Sequence, residues 1–340
     1  MRVVFVCLVG AVLAFGVVNL LRRRLKPGAV LSEMSRPDEI LLATVTEDSA
    51  VGTWVTEEPS EALVASRGVV ATRGFVNMGN TCYLNALLQV LVHSESVRNS
   101  YDSFLLPNDE SPLSLAERTH NEFGLLVRQQ WDVSGGAISP SRFFALLEQF
   151  DSTFFREGAG QDAHEAFMSL LAAVENPRKV SLTNLFRFAV MKDCTSCEAK
   201  LTVENQVIIP LEENGNILSI SSGVAGRFES LDGVRCDDEV QRIHSYPKLL
   251  LVVIHRSNSV GQKIHTRVLL DRRLTFGTRN YQLMGVVHHV GNCLHSGHYT
   301  ADFYHSEDER WYHADDSTVE TLRHSHLESR TAYILLYELS

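Results

Sequence analysis

Three separate stretches of the chain carry residue types that together could cleave an acyl bond. The first surrounds Cys82, the second contains His298, and the third holds the paired carboxylates Asp315 and Asp316. A cysteine attacks a carbonyl as its thiolate and needs an imidazole to take up and return a proton. A carboxylate holds that imidazole in one tautomer. The alternative for the two carboxylates is a turn that merely caps a loop.

Cys82 lies at the predicted start of a helix. Leucines recur at helical spacing from Leu84 to Leu91, which predicts an amphipathic helix. A helix N-terminus carries partial positive charge and free N–H groups, so a thiol there is expected to be more acidic. Asn77 could offer its side-chain amide to a developing oxyanion. The alternative is that Cys82 is a small apolar residue buried at a helix start.

His298 lies between a glycine-rich turn and the segment YTADFY, whose alternation predicts a half-buried strand. The glycine before it, Gly297, would let a substrate backbone pass close by. The chain has 14 histidines, so a histidine alone indicates little. The competitors for the role of base lie in the same stretch and are His288, His289 and His295.

The composition limits the classes of protein to which the chain can belong. The 340 residues carry a net charge of -10 and show no repeat or low-complexity segment, as expected of a globular protein. This acidic composition argues against nucleic-acid binding, because proteins that bind nucleic acids carry a basic surface. Its six cysteines are sparse and irregular, which favours free thiols in a reducing compartment over a disulfide scaffold.

The N-terminal segment predicts a membrane anchor. Residues 3–21 are apolar apart from Asn19, and they would form a helix about 28 Å long, close to the thickness of a bilayer core. Four basic residues follow within 22–26, which places the C-terminal bulk in the cytosol. The alternative is a cleaved signal peptide. We interpret the chain as a membrane anchor with a basic flank (1–26), a flexible linker (27–71) and a catalytic domain (72–340).

Seven stretches, which occur along the chain in the order of the family, resemble the ubiquitin-specific proteases. GFVNMGNTCYLNALLQVL resembles their cysteine box, and GVVHHVGNCLHSGHYTADFY with RWYHADDSTVE resembles their histidine box. GAGQDAHEAFMSLL is similar to a helical segment of the family, and LFRFAVMKDCTSC is similar to the start of its fingers. YPKLLLVVIHR and TAYILLYEL resemble two of its core strands. The resemblance covers residues 72–340.

The resemblance implies an α+β, papain-like cysteine protease fold with thumb, palm and fingers. It also implies hydrolysis of isopeptide bonds at the C-terminal glycine of ubiquitin. By position, Cys82 is the nucleophile, His298 the base and Asp315 the third member. Asn77 takes the oxyanion position and Asp316 is an assisting acid. The positions implied for substrate binding are Gln161, Asp162, Glu165, Gly297 and Tyr299.

The implied chemistry requires no metal or organic cofactor. A structural zinc in the fingers is a separate question, because Cys194 and Cys197 form one C-x-x-C half-site. Cys236 falls near the second half-site, where Glu239 stands in place of the partner cysteine. Structural zinc prefers a closed site of four ligands. We therefore assign no metal ligands, and the three cysteines are weak candidates. The alternative to a zinc site is that Cys194 and Cys197 are a relic pair, held in place by packing alone.

An apolar anchor, a basic flank and a short catalytic domain resemble a subfamily of the mitochondrial outer membrane. That resemblance implies ubiquitinated membrane proteins as substrates and lipid contact through residues 3–21. Asp315 departs from the vertebrate members of the subfamily, which have serine there. Two alternatives are open. One is a catalytically inactive ubiquitin-binding scaffold of the same fold, and the other is a secreted papain-like protease or acyltransferase with disulfides.

Overall fold

The computed structural model describes the chain from residue 72 onward, with short gaps. The described ranges are 72–102, 113–132, 135–156, 158–175, 181–193, 202–212, 217–228, 240–258, 260–294, 296–322 and 328–340. Their helices, in chain order, are α1 Cys82–Val92, α2 Glu95–Asp102, α3 Leu115–Gln130, α4 Ser141–Phe150, α5 Ala163–Val174, α6 Leu182–Phe186 and α7 Ile220–Phe228. Their strands are β1 Phe188–Asp193, β2 Thr202–Gln206, β3 Ile209–Glu212, β4 Ile217–Ser219, β5 Val240–Ser245, β6 Leu249–His255, β7 Arg267–Leu269, β8 Arg273–Phe276, β9 Arg279–Val290, β10 His298–His305, β11 Arg310–Asp315, β12 Thr318–Thr321, β13 Glu328–Ser329 and β14 Ala332–Leu339.

Eight of these strands form the main sheet. Seven follow the order β12-β11-β10-β9-β14-β6-β3, and β8 pairs with β9. The strands β9 to β12 are consecutive in the chain and pair with their chain neighbours in antiparallel orientation. The segment that carries His298 and Asp315 is therefore one continuous antiparallel meander. Two smaller sheets have the orders β2-β1-β5 and β13-β7-β4.

The core lies on both faces of the main sheet. Along β6, Leu249, Leu251 and Val253 pack against the helices that surround α1. The alternating residues between Leu250 and Ile254 pack on the opposite face, in a cluster that includes side chains of β3 and α7. A strand covered on both faces is expected to be a continuous apolar run, as this one is. The two core strands predicted from the sequence, β6 and β14, are confirmed.

The helix α1 begins at Cys82, as predicted, but it is not amphipathic. All 11 of its residues are buried, because it packs on β9 and β10 and is covered by α2, α3 and α5. Its polar side chains need internal partners in this setting. Gln89 donates from Nε2 to the backbone carbonyl of Arg73 at 2.9 Å, and Asn85 donates to a carboxylate described below.

The strand β10 differs from its prediction in a similar way. It was predicted to be half-buried, but both of its faces are largely covered. Helix α1 packs against it on one side. On the other side the buried Asp302 is bonded to His288 of β9 and His313 of β11, so a polar residue is tolerated there.

Several sequence predictions concern residues outside the described ranges. They are the anchor (3–21) with its basic flank, the linker (27–71), His295 and the weak zinc candidates Cys194, Cys197 and Cys236. These predictions, and the domain boundary at residue 72, stay predictions. In the part of the chain that the structure describes, no helix is both long and apolar enough to cross a bilayer.

The contact between α1 and β9 predicts a sensitive position at Gly285. A Cβ atom there would lie 2.6 Å from Cγ1 of the buried Val90. We expect Gly285→Ala to lower the free energy of unfolding by about 1–3 kcal/mol, because the close-packed helix must shift. Urea unfolding measures this. Gly136→Ala is the matched control, since a Cβ atom there meets nothing within 4 Å. Equal midpoints for the two variants would contradict the packing described.

Candidate active site

The turn before Cys82 is shaped by the side chain of Asn77. Its Oδ1 accepts hydrogen bonds from the backbone N–H groups of Gly79 at 2.9 Å and Thr81 at 3.3 Å. Gly79 and Asn80 have φ values of 97° and 57°, a left-handed conformation that glycine and asparagine tolerate best. The turn delivers Cys82 to the first position of α1, where it is 8% exposed.

Burial raises the pKa of the Cys82 thiol above its ordinary value. The backbone N–H of Tyr299 hydrogen-bonds the sulfur and acts in the opposite direction, while the nearby charge of Asp316 adds to the increase. This corrects the more acidic thiol predicted from the helix N-terminus, because desolvation outweighs the partial charge of the helix end. A neighbouring imidazolium would therefore be needed to stabilise the thiolate.

His298 and Asp315 form a hydrogen-bonded pair between β10 and β11. Nε2 of His298 lies 2.6 Å from Oδ1 of Asp315. Donation of the Nε2 proton to the carboxylate leaves Nδ1 as the ring atom that can exchange a proton. Among the described contacts, no hydrogen bond joins His298 to the Cys82 sulfur. Catalytic hydrogen bonds are often formed only when substrate binds.

Asp316 ties the cysteine segment to the turn between β11 and β12. Its Oδ2 accepts from Nδ2 of Asn77 and its Oδ1 from Nδ2 of Asn85, both at 2.8 Å. Its backbone carbonyl accepts from the N–H of Phe75, also at 2.8 Å. The amide of Asn77, predicted to face an oxyanion, thus already donates one hydrogen to Asp316. Asp316 holds the predicted oxyanion residue and the cysteine helix in place.

A cleft of about 610 Å³ opens beside Cys82, which contributes to its lining. The lining also includes all five residues predicted to bind substrate, namely Gln161, Asp162, Glu165, Gly297 and Tyr299. The other four predicted catalytic residues do not line it. Gly297 and Tyr299 flank His298 in the chain, so the His–Asp pair adjoins the cleft through them. Gln161 is also bonded internally, from Nε2 to the carbonyl of Phe154 at 2.7 Å.

The carboxylate of Asp162 is largely occupied by the protein itself. It caps α5 by accepting from the N–H groups of His164 at 2.8 Å and Glu165 at 3.2 Å. The hydroxyl of Tyr333 donates to both of its oxygens at 2.9 and 2.8 Å, and Tyr299 contributes a longer bond of 3.5 Å. Burial and the charge of Asp162 raise the pKa of Glu165. Of the two acidic residues in the cleft, Glu165 is the one whose carboxylate receives no hydrogen bond from a described residue.

Gly297 lies against the ring of His289. A Cβ atom at Gly297 would lie 2.4 Å from Nε2 of His289 and 2.4 Å from the carbonyl oxygen of Val290, so only glycine fits. The ring of His289 stacks on Tyr299 with centroids 4.5 Å apart. Burial, with the charge of Lys263, lowers the pKa of His289 to about 4. His289 therefore forms a neutral wall of the cleft at physiological pH.

The competing histidines of this stretch have different surroundings. His288 is buried and bonds Asp302 through Nε2 at 3.0 Å, and its Nδ1 lies 3.1 Å from the hydroxyl of Thr331. His289 packs against Tyr299 as described. Of the histidines compared, His298 is the one that the structure pairs with a predicted catalytic carboxylate. His295 lies outside the described residues.

Sequence reasoning missed Asn85 and Tyr333. Asn85 bonds Asp316 from the first turn of a buried helix, and an amide side chain on an apolar helix is a signal for a buried polar partner. Tyr333 lies in a strand whose pattern predicts only core packing, so nothing local pointed to its bond with Asp162.

One cluster among the described residues has ligand atoms near enough to share a metal ion. His298, Asp315 and Asp316 each have such an atom, and all lie within 4.8 Å of one another. The contacts described above account for these groups, since His298 bonds Asp315, and Asp316 bonds Asn77 and Asn85. We interpret the cluster as acid–base machinery.

A family model described as ubiquitin carboxyl-terminal hydrolase matches residues 73–337. This match spans well over half of the chain, and the chain therefore belongs to the ubiquitin carboxyl-terminal hydrolase family. Curated relatives support this. Ubiquitin carboxyl-terminal hydrolase 36 of Drosophila pseudoobscura pseudoobscura is 23% identical over 314 residues, which cover 78% of this chain and 29% of the relative. Ubiquitin carboxyl-terminal hydrolase 15 of Arabidopsis thaliana is 27% identical over 320 residues, covering 79% and 33%.

Solved structures share the fold. The SAGA Ubp8/Sgf11/Sus1/Sgf73 DUB module matches with a TM-score of 0.63 at 18% identity, covering 80% of this chain and 68% of that chain. A second structure of the module, bound to monoubiquitin, also gives 0.63 at 18% identity, covering 80% and 70%. The predicted combination of helices and sheets is thereby confirmed. The chain spans about a third or less of the length of the curated relatives named above.

The charge of Asp316 predicts an effect on the reactivity of Cys82. Asp316→Asn removes a negative charge that disfavours the thiolate, so the pKa of Cys82 falls. The pH dependence of Cys82 alkylation by iodoacetamide, followed by peptide mass, should move to lower pH. Asparagine tolerates the φ of 50° at this position. Glu307→Gln, beyond the opposite end of β10, is the control and should leave the profile in place. A shift to higher pH in Asp316→Asn would contradict the electrostatics described.

Proposed function

We propose that this chain is a thiol-dependent deubiquitinase that hydrolyses the isopeptide bond at the C-terminal glycine of ubiquitin. The observation that carries the proposal is the Cys82 cleft with the His298–Asp315 pair held beside it. Membership of the ubiquitin carboxyl-terminal hydrolase family supports it. One solved structure of the same fold is bound to monoubiquitin, and we extend that partner to this chain.

In the proposed mechanism the Cys82 thiolate attacks the carbonyl carbon of the terminal glycine. His298 receives the thiol proton through Nδ1 while Asp315 holds Nε2. The backbone N–H of Cys82 and the free amide hydrogen of Asn77 stabilise the oxyanion. His298 then protonates the departing lysine amine, which leaves a thioester on Cys82. Water, deprotonated by His298, attacks the thioester and releases ubiquitin.

The cleft has acidic groups suited to a basic tail. Asp162 and Glu165 stand at positions that meet the basic C-terminal tail of ubiquitin in the family. Because Tyr333 already bonds Asp162, we assign the main ionic contact with the tail to Glu165. A Cβ atom at Gly297 would clash with the ring of His289, and we assign this glycine, with Tyr299, to the part of the cleft that receives the terminal glycines of ubiquitin.

Hydrolysis of a fluorogenic ubiquitin C-terminal amide by the full chain tests the proposed function. We expect Cys82→Ala to lower kcat/KM by at least roughly 1,000-fold, because the nucleophile is lost. His298→Gln should lower it by about 100-fold or more, since proton transfer to and from the cysteine is lost. The control is Cys293→Ala, which changes an exposed thiol outside the cleft lining and should retain activity. Activity that survives in Cys82→Ala would contradict the proposal.

A second candidate function is a ubiquitin-binding scaffold without turnover. It is favoured by the burial of Cys82 and by the lack of a described hydrogen bond between its sulfur and His298. The same experiment separates the two, because a scaffold would bind ubiquitin and release no fluorophore. Calorimetric titration with ubiquitin measures the binding independently of turnover.

We also propose that residues 3–21 anchor the protein in the mitochondrial outer membrane, with the catalytic domain in the cytosol and ubiquitinated membrane proteins as substrates. The sequence pattern and the family resemblance support this. The full chain should stay in the membrane pellet after alkaline carbonate extraction, because an apolar span is released only by detergent. Deletion of residues 1–26 should release it, whereas deletion of 31–56, a control of equal length, should not. A mature chain that begins after residue 26 would indicate a cleaved signal peptide instead.

A further inference from the structure

A second histidine–carboxylate group lies beside the proposed catalytic pair. The carboxylate of Asp302 in β10 bonds Nε2 of His288 in β9 at 3.0 Å and Nδ1 of His313 in β11 at 2.6 Å. We call these three residues the Asp302 triad. The cleft lining does not include any of them, and the mechanism above does not use them.

Strand register makes the triad a neighbour of the catalytic pair. Asp302 lies opposite His313 in the pairing of β10 with β11. Side chains two residues apart on a strand share a face and lie about 6.6 Å apart, so His313 and Asp315 share a face. His298, four residues before Asp302, shares that face on β10. In each strand an imidazole precedes a carboxylate, His298 before Asp302 in β10 and His313 before Asp315 in β11. Because the two strands are antiparallel, each imidazole lies beside a carboxylate of the other strand.

Histidines and carboxylates alternate on this face. Burial disfavours the charged form of Asp302, but the hydrogen bonds from His288 and His313 hold its pKa well below the ordinary range. In turn, the hydrogen bond to Asp302 raises the pKa of His313, burial acts against this, and the charges of Asp315 and Glu320 add to the increase. The neighbours of His313 on this face are therefore two carboxylates, that of Asp302 across the strand pair and that of Asp315 on the same strand, and both favour its protonation.

We propose that His313 is a positioning residue of the active site: anchored by Asp302 on the same face of β11 as Asp315, its imidazole attracts the Asp315 carboxylate and so restricts the orientation of that carboxylate beside His298. The proposal rests on the deubiquitinase function proposed above. The charged and titratable groups that act on His313 are Asp302 of β10, Asp315 of its own strand and Glu320 of β12, and His288 of β9 shares Asp302 with it. His313 does not touch substrate and acts through Asp315.

Two substitutions separate charge from shape at this position. His313→Gln keeps a hydrogen-bond donor and removes the charge, whereas His313→Lys keeps a positive charge. We expect His313→Gln to lower kcat/KM by roughly 3- to 10-fold, and to move the pH dependence of Cys82 alkylation to higher pH, because a removed cation no longer favours the thiolate. His313→Lys should restore the alkylation profile. The matched control is His244→Gln, at an exposed histidine of β5, and should match the wild type.

A double-mutant cycle tests whether His313 acts through Asp315. In an Asp315→Asn chain, His313→Gln should lower kcat/KM by a clearly smaller factor than it does in the wild type. Equal costs in both backgrounds, or an alkylation profile that His313→Gln leaves unchanged, would overturn the proposal. Alkylation requires no ubiquitin. A full chain that fails to hydrolyse ubiquitin but shows the shift therefore contradicts the proposed function and leaves the role of His313 standing.

A measurement without any change at His313 covers the case in which its variants fail to fold. The imidazole of His313 can be titrated by NMR in the full chain labelled with ¹³C-histidine. Because Asp315 adds to the increase in the pKa of His313, Asp315→Asn should lower the titration midpoint. An unchanged midpoint would show that the two groups do not interact, and this too would overturn the proposal.

Discussion

The carboxylate of Asp316 is the contact on which the rest of the site depends. It bonds Asn77 just before the cysteine and Asn85 within the cysteine helix, while its backbone carbonyl bonds Phe75. Gly74 lies so close to the same turn that a Cβ atom there would be 2.3 Å from a backbone carbon. These groups are more than 200 residues apart in the chain. Their contacts join the helix of the proposed nucleophile to the hairpin that carries the proposed base and its partner, so the site exists only in the folded chain.

The position that these contacts give to Cys82 also makes its thiol less acidic. Helix α1 is buried on all sides, and both burial and the charge of Asp316 raise the pKa of Cys82. A thiolate at this position therefore depends on a proton acceptor, which is the role proposed for His298. The exposed His298–Asp315 pair, with side chains 42% and 52% exposed, adds little to stability in water. Its geometry is set by β10, which is largely buried, and by β11, which pairs with β10 on one side and β12 on the other. A rigid sheet thus holds a reactive pair that is itself accessible to substrate.

Local patterns predict the elements of this fold better than the contacts between them. The apolar runs of β6 and β14 and the leucine spacing of α1 identify these elements, because helical and extended backbones repeat at fixed periods. The resemblance to the family identifies Cys82 and His298 as candidates from their surrounding motifs. The bond between Asn85 and Asp316 could not be predicted, because nothing local specifies a partner 231 residues away. The predicted decrease in the pKa of Cys82 was wrong for the same reason. The helix end can be recognised in the sequence, whereas the burial that outweighs its effect cannot.

In the proposed reaction, Cys82 attacks the C-terminal carbonyl of ubiquitin. The most direct test mixes the full chain with a ubiquitin whose C-terminal carboxylate is replaced by an electrophile, followed by intact mass and peptide mapping. We expect one covalent adduct, on Cys82, which is lost in Cys82→Ala. Mapping is essential because Cys293 is an exposed free thiol. A folded wild-type chain that forms no adduct, or an adduct that persists in Cys82→Ala, would contradict nucleophilic attack by Cys82.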